Sequence, residues 1–283
     1  MNLKTRLRRL WFALSTVLGL KPRGYFVPYR YADQLPGPGH RPVYDTVERL
    51  FAAHEALFQA TLDRVDDQAA ALEAIGADDP APGPRWHQDW FPRLDAAVAY
   101  AMVRAAEPSR ILEVGSGHST RFMARAIADG GLSTRLAAID PAPRAVIRDL
   151  DVEWIAEPVH RADQALFRQL GDGDILFIDS SHILMPGSDV DYLFNHVLPE
   201  LPQGVLVHIH DIFLPDDYPT AWAWRGYGEQ LALVGPITSG AWQPLFASRY
   251  MVTRRADLLS RSVISRLPLP DGAFETSLWL RRR

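Results

Sequence analysis

The 283-residue sequence contains no cysteine, and this absence excludes several kinds of site. Without thiols there are no disulfide frameworks, no thiolate zinc centres and no cysteine nucleophiles. A surplus of positive charge is missing as well, because 30 basic and 34 acidic residues give a formal net charge of −4. Nucleic-acid binding needs clustered Lys and Arg, so this balance offers no support for it. The lack of disulfides is typical of a reducing compartment, and we expect a cytoplasmic protein.

Long apolar runs are also missing. The longest one near the start covers residues 10–20 and follows a basic stretch at residues 4–9. It is shorter than the roughly 20 residues that a transmembrane helix needs. We expect it to pack as a helix on its own domain. Two alternatives stay open: a signal peptide, and a helix that makes peripheral contact with a membrane or a partner through residues 1–23.

The first third of the chain has a helical pattern. Apolar residues recur at spacings of three and four from residue 42 to residue 75, which predicts one long helix or a helix broken once. Gly76 ends the pattern, and residues 76–84, rich in Ala, Asp and Pro, are typical of a linker. We therefore divide the chain into a helical N-terminal region with its linker, residues 1–84, and a second domain, residues 85–283.

Strands and helices alternate after the linker. Apolar runs predict strands at residues 111–114, 136–139, 152–155, 175–178 and 205–209, and helices at residues 94–106, 121–128 and 191–198. This alternation indicates parallel β-α-β crossovers. Two later candidate strands, residues 245–252 and 277–280, are expected to form an antiparallel pair at the sheet edge. The predicted fold class is α/β, a doubly wound, mostly parallel, Rossmann-like sheet of about seven strands, one of them antiparallel near the edge, with a helical N-terminal region.

Polar residues follow four of the first five predicted strands. Open parallel sheets bind ligands at the carboxyl ends of their strands, so these residues are candidates for one site. They are Glu113, Ser116, Ser119 and Thr120 after the first strand, Asp140 after the second, Asp179 and His182 after the fourth, and His210 and Asp211 after the fifth.

The turn after the first strand is rich in glycine. Gly115 and Gly117 let a ligand approach the backbone closely, and the following helix offers free N–H donors. Asp140 lies 23 residues beyond Gly117, where a carboxylate accepts the hydroxyls of a ribose. NAD is one candidate, but its fingerprint has a third glycine where this chain has Thr120. Glu113 would also repel a diphosphate, so a cofactor without phosphate and with a positive centre fits better.

The second cluster combines carboxylates with imidazoles. Asp179 and Asp211 end adjacent parallel strands, so their carboxylates are expected to lie close together and to repel unless a proton or a cation intervenes. A divalent cation with oxygen ligands would resolve this and could lower the pKa of a substrate hydroxyl. His182 could then accept the proton, with an unperturbed pKa near 6.5. A hydrogen-bonded cluster without metal is the alternative.

The glycine turn with its spaced acid resembles motifs I and II of the class I S-adenosylmethionine (SAM) dependent methyltransferases, over roughly residue 86 to the C-terminus. The resemblance implies SAM as cofactor, with the methionine portion near Glu113, Gly115 and Gly117 and the ribose on Asp140. The expected set of cofactor-binding residues is Glu113, Gly115, Ser116, Gly117, Ser119, Thr120 and Asp140.

The acid–histidine cluster resembles the metal-dependent O-methyltransferase branch, which includes the catechol and macrolide-sugar enzymes. That resemblance implies Asp179, His210 and Asp211 as ligands of a divalent metal and His182 as general base. The chain departs from the branch at one position, because the sugar enzymes have Glu-Asp and the catechol enzymes Asp-Asn where this chain has His210-Asp211. An imidazole ligand suits manganese, iron or zinc better than magnesium, so the metal, Mg, Mn or another, stays open.

The resulting expectation is a SAM-dependent methyltransferase that methylates a hydroxyl of a small molecule, such as a sugar or another polyol. An NAD-linked oxidoreductase and a non-catalytic module acting at a membrane or partner through the N-terminal helices are the alternatives. Homo-oligomers are compatible with the sequence. His208 is expected in the core, and the segment Gly187-Ser188-Asp189 is expected to cap the helix that follows it.

Overall fold

The computed structural model describes residues 3–143 and 146–283. The chain forms two compact units that meet at Arg41 and Pro42. The first unit contains helix α1, Leu3–Val17, and a short helical turn, Ala32–Gln34. Across the described residues, no helix combines the length and the apolar character that crossing a bilayer requires.

The second unit contains the sheet and the helices around it. Its strands are β1 Arg110–Val114, β2 Arg135–Ile139, β3 Glu153–Ile155, β4 Ile175–Ile178, β5 Leu206–Ile209, β6 Trp242–Ala247 and β7 Leu278–Arg282. Its helices are α2 Asp45–Ala53, α3 Glu55–Asp66, α4 Ala69–Glu73, α5 Arg93–Ala106, α6 His118–Gly130, α7 Ala165–Arg168, α8 Asp189–Tyr192, α9 Glu229–Thr238, α10 Ser248–Arg254 and α11 Ala256–Leu259.

Within the described residues, the seven strands form one sheet in the order β3-β2-β1-β4-β5-β7-β6. β1 to β5 pair in parallel, whereas β7 is antiparallel to both β5 and β6. The predicted fold class is therefore confirmed, including the single antiparallel strand near the edge. The strand order reverses between β1 and β4, and this reversal is where open α/β sheets bind ligands.

One strand prediction was partly wrong. The strand expected at residues 245–252 ends at Ala247, and helix α10 begins at the next residue. The apolar residues of this stretch do pack inward, but from a helix: the ring of Tyr250 lies 5.7 Å from that of Phe51 and 5.9 Å from that of Phe58. Packing against α2 and α3 decides the conformation here, because a short apolar run fits either a strand or a buried helix.

The long helix predicted at residues 42–75 is broken twice. His54 separates α2 from α3, and Asp67 and Gln68 separate α3 from α4. Seven apolar residues of this stretch belong to the same hydrophobic core as the sheet, namely Val47, Phe51, Phe58, Leu62, Val65, Leu72 and Ile75. The compact units of the structure divide after residue 41. The predicted domain division at residue 84 stays a prediction.

Candidate active site

The glycine turn after β1 is shaped by a close contact with the turn after β4. Gly115 has a φ of +84°, which favours glycine, and a Cβ at this position would overlap the carbonyl oxygen of Asp179. Gly117 has no atom within 4 Å of the place where a Cβ would stand. The first glycine therefore lets two strand ends approach each other, and the second leaves open space above the turn.

Glu113 lies beneath the turn and is fully buried. Its carboxylate accepts hydrogen bonds from Ser119 Oγ and, at 2.6 Å, from Thr120 Oγ1. Thr120 Oγ1 in turn accepts a hydrogen bond from the backbone N–H of Gly117 at 2.9 Å. Burial raises the pKa of Glu113 to about 8, although the two hydroxyl donors act in the opposite direction. A cation placed above this turn would favour the ionised form of Glu113.

Asp140 meets the glycine turn from β2. Ser116 Oγ donates to Asp140 Oδ2 at 2.7 Å, and the backbone N–H of Ala142 donates to Asp140 Oδ1 at 2.7 Å. The backbone N–H of Asp140 continues the sheet ladder by donating to Ile155 at 3.0 Å. The spaced acid of the sequence motif therefore lies beside the turn, at hydrogen-bonding distance from one of its residues.

The acid–imidazole cluster stands at the ends of β4 and β5. His182 Nε2 lies 3.3 Å from Asp179 Oδ1 and 3.4 Å from Asp211 Oδ2. His210 Nδ1 lies 3.6 Å from Asp179 Oδ1 and 3.7 Å from Asp211 Oδ1. Asp179 is the most accessible member, with 37% of its side chain exposed, against 11% or less for the other three. The structure thus brings together all four residues predicted for this cluster, and Asp179 is the member that is most open to solvent.

The surroundings shift the proton affinities of the cluster. Burial alone would lower the pKa of His182, but hydrogen bonds to Asp179 and Glu229 outweigh it and raise that pKa well above its usual value. Burial would raise the pKa of Asp179, but hydrogen bonds from His182 and His210 hold it well below its usual range. The expected unperturbed pKa of His182 near 6.5 therefore does not describe the folded chain.

The charges of the cluster bear on the predicted metal site. Burial opposes protonation of His210, yet Asp211 and Asp179 raise its pKa well above the usual value. Both imidazoles of the cluster therefore bind a proton more readily than a free histidine does, which offsets part of the repulsion between the paired acids. No group of three or more His, Asp or Glu side chains is arranged to hold a metal ion in the part of the chain that the structure describes. Ligation of a metal by Asp179, His210 and Asp211 therefore stays a prediction.

Glu229 is a site residue whose contact with His182 the sequence did not predict. It is fully buried at the start of α9, and its Oε2 accepts a hydrogen bond from His182 Nδ1 at 2.8 Å. Ser180 Oγ donates to Glu229 Oε1 at 2.8 Å. The backbone N–H of Gly228 also donates to the carbonyl of His182 at 2.9 Å, which holds His182 at its left-handed φ of +60°. Glu229 and its neighbours thereby orient the imidazole so that Nε2 faces Asp179 and Asp211.

Several neighbouring residues have structural roles. His208 is buried against Phe177 at 3.7 Å between ring centres, as expected for a core histidine. Within the predicted capping segment, Ser188 caps α8 by accepting a hydrogen bond from the backbone N–H of Asp191. Asp163 accepts from the backbone N–H of Ala165 at 2.9 Å.

A family model described as a methyltransferase domain matches residues 112–212, which contain the glycine turn, Asp140 and the acid–imidazole cluster. Residues 112–212 are a methyltransferase domain. Together with the sheet order and the glycine turn, this match confirms the predicted class, a SAM-dependent methyltransferase of class I. The match does not distinguish the metal-dependent branch.

Two methyltransferases are among the solved structures to which this chain is similar. The Podospora anserina methyltransferase PaMTH1, bound to S-adenosylhomocysteine, is 16% identical, with 92% of this chain and 99% of that chain covered and a TM-score of 0.41. The O-methyltransferase TomG from Streptomyces achromogenes, in complex with SAM, is 16% identical over 65% of this chain and 80% of that chain, with a TM-score of 0.34. Sequence identities and TM-scores this low do not assign a role to any residue of the site. No curated protein matches the chain.

Proposed function

We propose that this methyltransferase transfers a methyl group to a hydroxyl of a small molecule and that His182 is the general base. The observation that carries the proposal is the contact between Gly115 and the carbonyl of Asp179. Because of this contact, the cofactor turn and the acid–imidazole cluster lie next to each other. A donor on the turn would lie next to an acceptor bound at Asp179 and His182.

The residues of the turn fit SAM in charge and in shape. The open space at Gly117 allows a ligand to lie against the backbone, and the Asp140 carboxylate is suited to the ribose hydroxyls. The ionised form of Glu113 would favour the positively charged methionine portion. When bound, SAM supplies a methyl group that its sulfonium makes electrophilic.

The chain's own groups have the tasks of binding, orientation and proton removal. The acceptor hydroxyl would donate a hydrogen bond to His182 Nε2 and lose its proton to that atom as its oxygen forms the new bond to the methyl carbon. The bond between carbon and sulfur breaks at the same time. Glu229 on Nδ1, together with Asp179 and Asp211 beside Nε2, would stabilise the imidazolium that results.

The raised pKa of His182 makes it a stronger base than a free imidazole, and a larger fraction of it is protonated at a given pH. The neutral imidazole that accepts a proton becomes more abundant as the pH rises through the raised value. Methyl transfer is therefore expected to increase from neutral to alkaline pH. No step of this proposal uses a metal, and activity in the presence of EDTA should equal activity with added Mg²⁺ or Mn²⁺.

The cluster also supports a polyol or sugar as the acceptor. Asp179 is accessible and carries a carboxylate, which can accept hydrogen bonds from hydroxyl groups. A second hydroxyl next to the reacting one would find this acceptor within the same cluster. An acceptor with a single isolated hydroxyl would lack this contact.

The test is formation of S-adenosylhomocysteine from SAM with a panel of sugars, polyols and phenols. His182→Gln should lower turnover about 100-fold or more and leave the affinity for SAM unchanged, since general-base catalysis contributes factors of this size. His87→Gln, at an exposed histidine outside the cluster, is the matched control and should be neutral. Normal turnover of His182→Gln would remove the base assignment. Binding of NAD without binding of SAM, measured by calorimetry, would favour the oxidoreductase.

A further inference from the structure

Helix α1 exposes its apolar side. Seven large apolar residues, six in the helix and one directly after it, share one arc at spacings of three and four, and each is 46% to 71% exposed. They are Leu3, Leu7, Leu10, Trp11, Leu14, Val17 and Leu18. A helix of a globular protein normally buries such a stripe, so this one is available to a partner.

On its opposite side, the C-terminal part of α1 contacts the residues that follow it. Ser15 is buried, and its Oγ donates to the carbonyl of Lys21 at 3.0 Å. The backbone N–H of Arg23 donates to Thr16 Oγ1 at 3.0 Å, and the Arg23 guanidinium lies 5.1 Å from the ring centre of Phe12. The chain after α1 therefore folds back on the side of the last turns that lies opposite the apolar arc, and it leaves the arc exposed.

Charge and aromatic residues identify the kind of partner. The first 32 residues contain seven Lys and Arg residues and no acidic residue. The first acidic residue of the chain is Asp33. Subtracting these seven charges from the net −4 of the chain leaves −11 for the remainder. Aromatic residues that favour the membrane–water interface are exposed in the same unit, among them Trp11, Tyr25 and Phe26.

We propose that the first unit, with α1 as its apolar face, binds in the plane of a membrane surface that contains anionic lipid. An apolar arc of leucines with a tryptophan, flanked by Arg and Lys, is typical of interfacial helices. The 15 residues of α1 span only about 22 Å, which is less than the hydrocarbon core of a bilayer, so the helix lies along the surface. The positive charge selects anionic headgroups, and the leucines enter the acyl boundary.

Co-sedimentation of the full chain with vesicles tests this proposal. The chain should bind vesicles of phosphatidylcholine mixed with phosphatidylserine and bind pure phosphatidylcholine vesicles at least tenfold more weakly. Added salt should weaken the binding. Arg6→Gln combined with Arg9→Gln should weaken it about 25-fold, since each cation near an anionic surface contributes about fivefold.

Two further variants separate insertion from attraction by charge alone. Leu10→Glu and Leu14→Glu place carboxylates in the apolar arc and should each weaken binding at least tenfold. Leu269→Glu introduces the same charge at an exposed leucine outside the first unit and should leave binding unchanged. Affinity for SAM, measured in parallel, should be equal in all variants and reports whether the methyltransferase domain is folded.

Absence of binding to either kind of vesicle would overturn the proposal and favour an acidic protein as partner of this face. Equal binding to both kinds of vesicle, or normal binding of Leu10→Glu, would overturn it as well. The proposal is independent of the reaction at His182, because vesicle binding is measured without an acceptor.

Discussion

Replacement of Glu229 by Gln isolates the effect of one buried charge on His182. The amide of Gln keeps the shape of the side chain and can still accept a hydrogen bond from Nδ1, but it no longer carries a negative charge. Both partners are buried, with 0% exposure for the side chain of Glu229 and 6% for that of His182, so solvent screens the interaction weakly. The variant should therefore lower the pKa of His182.

The size of the effect follows from the contact. A hydrogen bond to a charged partner contributes about 1 kcal/mol more than a neutral one, which corresponds to about a fivefold to tenfold loss of proton affinity at His182. Because the folded-state pKa of His182 is raised, its protonated form stabilises the fold at low pH. This contribution is lost as the pH rises through the raised value, and it should be smaller in Glu229→Gln.

NMR of isotope-labelled histidine measures the titration without an acceptor substrate, and the signal of His182 is assigned by its absence in His182→Gln. Ser180→Ala is the matched control, because it removes a hydrogen bond to Glu229 and keeps the charge. Ser180→Ala should leave the pKa of His182 unchanged or raise it. An unchanged or higher pKa in Glu229→Gln would refute the positioning role of Glu229.

Three further predictions concern the cofactor turn. SAM binding near neutral pH should release a proton from Glu113, because its pKa is raised to about 8. Calorimetry in buffers of different ionisation enthalpy measures this release, which should be absent in Glu113→Gln. Gly115→Ala should lose SAM binding and destabilise the fold by more than Gly173→Ala, measured by thermal unfolding. Both place a Cβ at positive φ, which costs about 1 to 2 kcal/mol, but only the first adds an overlap. Asp140→Asn should weaken SAM binding about tenfold, by equilibrium dialysis, and leave the titration of His182 unchanged.

The parallel part of the sheet was predictable because each strand is a short apolar run bounded by turn residues. β1, β2, β4 and β5 lie within one residue of the predicted positions. The antiparallel edge of the sheet was harder to predict. Pro244 and the apolar residues after Ala247 fit either a strand or a helix, and packing against α2 and α3 decides between the two. The breaks at His54 and at Asp67 interrupt a continuous apolar stripe, and no Gly or Pro marks them.

The candidate site was predictable where topology brings residues together. Asp179 and Asp211 end adjacent strands, and Asp140 ends the strand beside the glycine turn, so the sheet alone brings them close. Glu229 is 47 residues beyond His182 and reaches it from the start of a helix, a contact that no local pattern encodes. The proton affinities also depend on burial and on every facing charge, which explains why an ordinary pKa was expected for His182.

A structure of the protein with S-adenosylhomocysteine measures the geometry on which the proposed chemistry depends. We expect the ribose on Asp140, the methionine portion over the glycine turn, and the sulfur directed toward the space beside Asp179 and His182. A sulfur atom that faces away from His182, or a ligand bound at a distance from Gly115, would contradict the account.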